Sequence, residues 1–320
     1  MAALRTAVGI DLGGTKIAAA LVGADGTIDS RHSAPTPATS GPEAVLDTIA
    51  ELAAPLLAQA SATGTPALGV GIGAAGVIDP VTARVLSATD HLSGWAGTDL
   101  RAGLAARLGI DPQGVRAVND VHAHALGEGW LGAAAGCGSV LLAAFGTGIG
   151  GSLLLHGVPV FGARQVGGHL GHMPSAEAVG LRCPCGAIGH LEAIASGPSL
   201  HALYLRRGGD TSVPHARAVF ARAAAGDVLA AAAIDTAATA AGRALGGLAN
   251  TLDPEAVIVS GGLAEAGETW WGPLRAAFAA ELIGPLKSLA PQPARLGADA
   301  ALAGAASLLL APAHSTLASS

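Results

Sequence analysis

The densest chemistry in this chain lies between residues 169 and 192. Gly167-Gly168-His169-Leu170-Gly171-His172 is followed by Cys183-Pro184-Cys185 and then by Gly189-His190-Leu191-Glu192. Zinc takes thiolate sulfur and imidazole nitrogen in tetrahedral sets of four. His172, Cys183, Cys185 and His190 offer two of each within 19 residues of chain. Four protein ligands fill the coordination sphere, so such a site is structural and leaves no open position for a hydrolytic water. The alternative is buried cysteines and surface histidines without a metal, and the clustering of all four weighs against it. His169 is a fifth candidate with another role open to it. His122 and His124, two apart on an expected helix, do not share a face and read as ordinary.

The second candidate is a carboxylate. Asn119-Asp120 stands where the strand-like run Val115–Val118 gives way to a helical pattern reaching about Leu131. On local sequence Asp120 can be a helix N-cap, worth about 1 kcal/mol, or a general base. Phosphoryl transfer to an alcohol needs a carboxylate that accepts the hydroxyl proton, and a neighbouring amide can hold adjacent hydroxyls. The transition state is loose, so positioning and charge stabilisation do most of the work.

Three glycine loops complete the set. Asp11-Leu12-Gly13-Gly14-Thr15-Lys16 joins two strand-like runs, which separates it from a P-loop, whose spacing is longer and whose last residues open a helix. Glycines still let backbone N–H groups approach an oxyanion, and successive N–H groups form an anion nest. Thr15 adds a hydroxyl, Lys16 a positive charge, and Asp11 a carboxylate able to hold Mg²⁺ or its waters. Gly146-Thr147-Gly148-Ile149-Gly150-Gly151 has the same properties, and Ser260-Gly261-Gly262 ends a strand, where α/β proteins place ligands. Any one loop alone reads equally as a tight hairpin. Three at strand ends favour a nucleotide cleft.

The elements that must position these residues follow from periodicity. Ala7–Asp11, Lys16–Val22 and a segment from Ile28 form an expected meander, and Val140–Phe145, Ser152–His156 and Val158–Phe161 repeat it roughly 130 residues later. Helices are expected over Glu43–Ala60, with Pro55 as a possible kink, over Leu100–Leu108, and within Ser212–Asn250. Further strands are expected at Leu68–Gly73 and Ala256–Val259. Strands alternating with helices place the chain in the α/β class, and the repeated unit suggests two similar domains that each present a glycine loop to a shared cleft.

Composition bounds the function. The 320 residues are 51% hydrophobic and 12% charged, enough for large cores. A net charge of −6 argues against a broad basic nucleic-acid footprint. Met1–Gly9 lacks the pattern of a secretory leader, and the apolar run Ala300–Ala313 is shorter than the about 20 residues a bilayer needs. Three cysteines, two in one C-x-C, are no disulfide framework. The cytoplasm is the expected compartment, with no membrane partner. A dinucleotide oxidoreductase is disfavoured because the Gly146–Gly151 loop leads into a strand.

Together these residues resemble the ROK family (repressors, open reading frames and sugar kinases) of the actin-like ATPase superfamily. The resemblance spans nearly the whole chain: the Asp11–Lys16 loop, Gly71-Ile72-Gly73-Ala74-Ala75-Gly76-Val77-Ile78-Asp79, Leu92-Ser93-Gly94-Trp95, Asn119-Asp120 with Gly127-Glu128, the Gly146–Gly151 loop, and His172/Cys183/Cys185 through Glu192. It implies two actin-like (ribonuclease H-like) α/β domains flanking a cleft. The expected first domain is 1–118, with a helix at about 299–313 packing back on it. The second is 119–298, with a zinc-binding loop at 169–192.

By resemblance Asp11, Gly13, Gly14, Thr15, Lys16, Gly146, Thr147 and Gly148 would grip the phosphates of ATP, with its Mg²⁺, and Gly261 and Gly262 would lie near the adenosine. Asp120 would be the catalytic base for a sugar 6-hydroxyl. Gly73, Asn119, His169, His172 and Glu192 would complete the sugar site. His172 would touch sugar through one nitrogen and zinc through the other. A homodimer is implied.

The chain departs from the family pattern at three positions. Ala75 replaces a usual proline, and His190 replaces the usual third cysteine. His169 replaces a glutamate that in ROK glucokinases accepts hydrogen bonds from sugar hydroxyls. A neutral imidazole can instead donate to an acetyl carbonyl. The Gly-His-x-Gly-His pattern and Glu192-Ala193-Ile194-Ala195-Ser196-Gly197 resemble bacterial N-acetylmannosamine kinases, so that sugar is the expected substrate, with glucose the alternative. A ROK repressor would carry a winged-helix domain before the first glycine loop, and ten residues precede Asp11 here. Sugar sensing without DNA binding is the third reading.

Overall fold

In the computed structural model, residues 5–89 and 91–310 are described. In chain order the elements begin with β1 (Thr6–Leu12), β2 (Lys16–Gly23), β3 (Ile28–Pro35), α1 (Pro42–Ala62), β4 (Val70–Ala74), β5 (Val77–Asp79), β6 (Arg84–Ser87), α2 (Leu100–Leu108), β7 (Val115–Asn119) and α3 (Asp120–Trp130). They continue with β8 (Ser139–Phe145), β9 (Ile149–Leu155), β10 (Val158–Pro159), α4 (Glu192–Ala195), α5 (Gly197–Arg206), α6 (Ala216–Ala224), α7 (Val228–Leu252), β11 (Ala256–Ser260), α8 (Glu268–Glu281), β12 (Pro291–Pro293) and α9 (Asp299–Leu310).

Two five-stranded sheets share one plan. The first has the order β3-β2-β1-β4-β7 and the second β10-β9-β8-β11-β12. In the first, β1 pairs antiparallel with β2 and parallel with β4, and β4 pairs parallel with β7. In the second, β8 and β12 flank β11, both parallel to it. The repeated strand–loop–strand pattern in the sequence is therefore a repeated sheet. The inner parallel strands β4 and β11 are buried at every position, as continuous apolar runs covered on both faces must be.

The chain divides into two compact units. One comprises the described residues up to Gly136, Leu154–Gly167 and those from Arg295 onward; the other comprises Cys137–Leu153 and Gly168–Ala294. This division differs from the boundary expected at 118/119. Helix α3, expected to open the second domain, packs on α9 in the first unit. The expected helix at 299–313 is α9 to Leu310, and residues 311–313 lie outside the described residues.

Glycine explains how α9 seats. A Cβ on Gly304 would overlap the carbonyl oxygen of Ala123, and one on Gly127 that of Ala300. On the sheet side, Cβ atoms on Gly9 and Gly71 would overlap the carbonyls of Leu302 and Ala305. Helices α3 and α9 thus touch backbone to backbone, and α9 lies directly on β1 and β4. The start of α9 is tied in by Glu128, fully buried, whose Oε1 accepts the N–H groups of Arg295 and Leu296 at 3.0 and 2.7 Å. Its Oε2 accepts that of Ala133 at 2.7 Å. A buried carboxylate is tolerable when its oxygens are occupied in this way.

In the second unit α7 is the core helix. Its 25 residues are long and apolar enough to span a bilayer, yet half of its most apolar window is buried within the fold. Ala230, Ala233, Ile234, Ala237, Ala241 and Leu245 face the core, with Trp270, Leu274 and Phe278 of α8 in the same cluster.

Two glycine substitutions test this account. Gly304→Ala should destabilise the fold by about 1–3 kcal/mol, the usual cost of overpacking, despite alanine's better helix propensity. Gly247→Ala, on an exposed turn of α7 with no atom within 4 Å of the added carbon, should stabilise by up to about 1 kcal/mol. Urea unfolding of both variants reads the difference; a stable Gly304→Ala protein would refute the close contact.

Candidate active site

In the first unit the chemistry gathers at the C-terminal ends of parallel strands. β1 ends in Asp11 and the loop Gly13–Lys16, and β7 ends in Asn119 with Asp120 opening α3. Asn119, not Asp120, is the helix cap: its Oδ1 accepts the N–H of Val121 at 2.9 Å, while its Nδ2 donates to the Gly76 carbonyl at 2.9 Å. Asp120 is the first helical residue, and its Oδ1 also accepts from Val121, at 2.9 Å. Burial pushes its carboxyl up to about 6, against the pull of these hydrogen bonds. Asp11 is likewise raised to about 6, by burial and then by the nearby Asp120 charge, with Lys16 opposing. Two carboxyls in mutual electrostatic reach, both shifted towards neutrality chiefly by burial, mark this strand end as a candidate functional site.

The 71–79 motif positions this end. Gly76 has φ +107°, and a Cβ there would stand 2.7 Å from the Ser87 carbonyl. The indole of Trp95, almost fully buried, donates to the Ala75 carbonyl at 3.0 Å. With Asn119 on Gly76, the turn after β4 is pinned from two sides. Gly73 is required by the protein itself, since a Cβ would approach the Ala123 side chain to 2.7 Å and Asp120 Cα to 3.5 Å.

The loop glycines divide by the same test. Gly14, Gly146 and Gly262 have no protein atom within 4 Å of an added Cβ and no positive φ, so packing does not explain them. Open space beside a glycine backbone suits an approaching anion. Gly261, at φ +85°, would instead strike the Phe145 backbone and serves the fold.

In the second unit, Gly146, Thr147 and Gly262 line a cavity of about 820 Å³ with Gly197, Pro198, His201, His215, Phe220 and Glu265 among its other walls. The size and mixed lining suit a nucleoside. Most of these walls were not legible as site residues in the sequence. Ser196-Gly197-Pro198 does carry a helix-start signature, serine cap with proline in the first turn, and Gly197 N donates to the Gly146 carbonyl at 2.8 Å.

The His/Cys residues converge. One donor atom each from His172, Cys183, Cys185 and His190 lies within 4.8 Å of all the others. Cys183 Sγ is 3.7 Å from His172 Nδ1, and Cys185 Sγ is 3.3 Å from His190 Nδ1. Ligands about 2.0–2.3 Å from a tetrahedral zinc would be separated by distances of this order, so the residues fit that metal. Burial pushes the Cys183 thiol up to about 11; a coordinating cation reverses that logic and binds the thiolate. With Nδ1 on the sulfur side, Nε2 of His172 is left for another partner. His169 is exposed, its ring stacked 6.1 Å from that of His172. Glu192 opens α4 and accepts the Ile149 N–H at 2.7 Å.

The expected residues thus fall into two sets. Asp11, Gly13, Gly14, Thr15, Lys16, Gly73, Asn119 and Asp120 belong to the first unit. Gly146, Thr147, Gly148, His169, His172, Cys183, Cys185, His190, Glu192, Gly261 and Gly262 belong to the second.

Comparison with known proteins identifies this assembly of motifs. The ROK family model matches residues 7–311. The chain belongs to the ROK family. Among relatives, the glucokinase of Thermotoga maritima is 34% identical over 281 residues, 84% of this chain and 85% of that protein. An N-acetylmannosamine kinase of Escherichia coli is 34% identical over 262 residues, 81% of this chain and 84% of that protein. The ROK hexokinase from Thermus thermophilus superposes with a TM-score of 0.81 at 33% identity, covering 94% of this chain and 97% of that one. A ROK glucokinase from Streptomyces griseus, solved with glucose and AMPPNP, gives 0.76 at 33% identity, with 96% and 99% covered. The α/β class and the actin-like fold expected of a ROK protein are both met.

The metal assignment has a direct test. Purified ROK protein should contain about one zinc per chain by atomic emission, and Cys185→Ser should lose it and unfold at lower temperature, because metal binding is coupled to folding. Zinc-free protein with unchanged thermal stability would dismiss the assignment.

Proposed function

We propose that this ROK protein is an ATP-dependent sugar kinase that phosphorylates the 6-hydroxyl of an N-acetylhexosamine, N-acetylmannosamine above all. The family and the relatives support the coarse activity. The residue-level reading rests on one observation above the others: Asp120, at the end of a parallel strand and the start of α3, is a carboxyl raised to about 6. A general base is most effective when its pKa lies near the working pH.

In this reading Asp120 accepts the proton of the sugar hydroxyl as its oxygen attacks the γ-phosphorus, and ADP leaves. Asn119 donates to Gly76 and is hydrogen-bonded to Asp120, and its Oδ1 keeps one lone pair beyond that used on Val121, an acceptor for a neighbouring hydroxyl. The loops at Gly13–Lys16 and Gly146–Gly148 receive phosphate oxygens with backbone N–H groups, and the cavity walled by Gly262 and Phe220 takes the adenosine. Asp11 would hold Mg²⁺ or its waters, and the cation would supply charge neutralisation to the phosphates of ATP. Zinc on His172, Cys183, Cys185 and His190 would lock the imidazole of His172 in orientation, leaving Nε2 for a sugar hydroxyl.

His169 supports the choice of sugar. An imidazole stands beside His172 where glucose-specific members carry a carboxylate, and a neutral imidazole can donate to the acetyl carbonyl of an N-acetyl group. Glucose is the second reading, favoured by the equal identity to glucokinases.

Asp120→Asn should lower kcat by about 10²–10⁴-fold, the usual worth of a general base, with sugar affinity nearly unchanged in calorimetry. Near-normal turnover would remove Asp120 from this role. The same variant should unfold at a higher temperature at pH 7.5. The folded value of about 6 lies above the 3.8 of a free aspartate, so the folded state gains protons as pH falls through about 6. Above that pH the ionised buried carboxylate costs stability, which asparagine relieves. In the wild type, kcat/KM should fall below a pH of about 6.

His169→Glu should move preference towards glucose. The measurement is kcat/KM for N-acetylmannosamine divided by that for glucose in both proteins. An unchanged ratio would show that His169 is not the selector.

A further inference from the structure

Within the second unit, the glycine loop after β8 and the segments carrying His169, His172 and Glu192 are built as one piece. Glu192 Oε2 accepts the Ile149 N–H at 2.7 Å. A Cβ on Gly148 would stand 3.0 Å from the same oxygen, and one on Gly171 would stand 3.1 Å from it. A Cβ on Gly168 would overlap the Gly151 carbonyl. The backbone of Glu192 is fixed as well, its carbonyl accepting Ser199 Oγ at 2.6 Å. Gly197, further along the same stretch, donates to Gly146 at 2.8 Å. Among the described residues no Lys or Arg forms a salt bridge with Glu192.

A carboxylate in this position does two opposing things. It holds the loop in shape through Ile149, and it puts a carboxylate without a Lys or Arg partner against the loop that would receive a triphosphate. Repulsion between like charges falls only as the inverse of distance, and it is strong where water is scarce. Oε2 is occupied by Ile149, which leaves Oε1 as the acceptor for a sugar hydroxyl.

We infer that Glu192 is a positioning residue that makes nucleotide binding conditional on sugar, an inference that rests on the sugar-kinase reading above. Without sugar, its charge opposes the phosphates at Gly146–Gly148. A sugar hydroxyl donating to Oε1 disperses that charge and steadies the carboxylate, and the loop then accepts the triphosphate. The coupling is reciprocal, so the nucleotide tightens sugar binding by the same factor. The device also suppresses loss of ATP to water when no sugar is present.

Calorimetric titration with AMPPNP, with and without saturating N-acetylmannosamine or glucose, tests this. In the wild type sugar should tighten AMPPNP by about tenfold, within the usual range of coupling between sites. Glu192→Gln keeps an acceptor for Ile149 but removes the charge. It should bind AMPPNP without sugar about as tightly as the wild type does with it, and respond to sugar less than about twofold.

A second measurement needs no variant. With Mg²⁺ omitted, the sugar effect on the wild type should grow from AMP through ADP to AMPPNP, because the repulsion then scales with phosphate charge. An equal effect on all three, or a Glu192→Gln protein with the wild-type sugar response, overturns the inference. Wild-type protein that binds neither AMPPNP nor either sugar overturns the sugar-kinase reading itself, and this inference falls with it.

Discussion

The first unit depends on one steric condition: helix α9 must come close enough to α3, β1 and β4 for backbone to meet backbone. Gly9, Gly71, Gly127 and Gly304 meet it by lacking a side chain at the four contact points. The consequence is positional. α3 is held along one face by α9 and at its first turn by Gly73, so the residue that opens it, Asp120, has little freedom. Glu128 extends the same constraint by tying the chain before α9 to the end of α3. A base for phosphoryl transfer must sit within hydrogen-bond reach of one oxygen, and a packed helix start holds that tolerance better than a loop.

The same unit tolerates electrostatic cost at its functional end. Asp11 and Asp120 are both raised to about 6, chiefly by burial. A sequence optimised for stability alone would not bury two carboxyls in mutual reach. The fold accepts the cost because the surrounding elements over-determine the geometry, which is the usual relation between strain and function.

The second unit follows a different logic. Its site residues are drawn from a loop after β8, a turn after β11 and an irregular stretch between β10 and α4, and few regular elements hold them. Cross-links replace them: the His172/Cys183/Cys185/His190 cluster, the Glu192–Ile149 hydrogen bond and the contacts of Gly168 and Gly171 with the loop. An irregular segment has few backbone partners of its own and needs such ties to stay ordered. A Cys/His cluster able to hold a metal ion is one such tie.

Sequence alone determined the repeat, the α/β class and the residue types at each site. Short apolar runs that end in glycine and recur with the same turns read as buried strands with sharp ends, and two thiols with two imidazoles in 19 residues read as a metal-binding set. Asn119-Asp120 was visible at a strand–helix junction, but which of the two caps the helix was not, because Asn and Asp are near-equal caps and the choice depends on the Gly76 carbonyl arriving from β4. The division into units differs from a boundary at 118/119 because α3 lies next to the second repeat in the chain but packs on a helix about 180 residues later. The loop glycines were equivalent in sequence, and only the tertiary structure separated Gly14, Gly146 and Gly262, which face open space, from Gly261, which the fold itself requires. Composition and spacing fix what a residue can do; which atoms arrive beside it is decided by contacts between segments far apart in the chain.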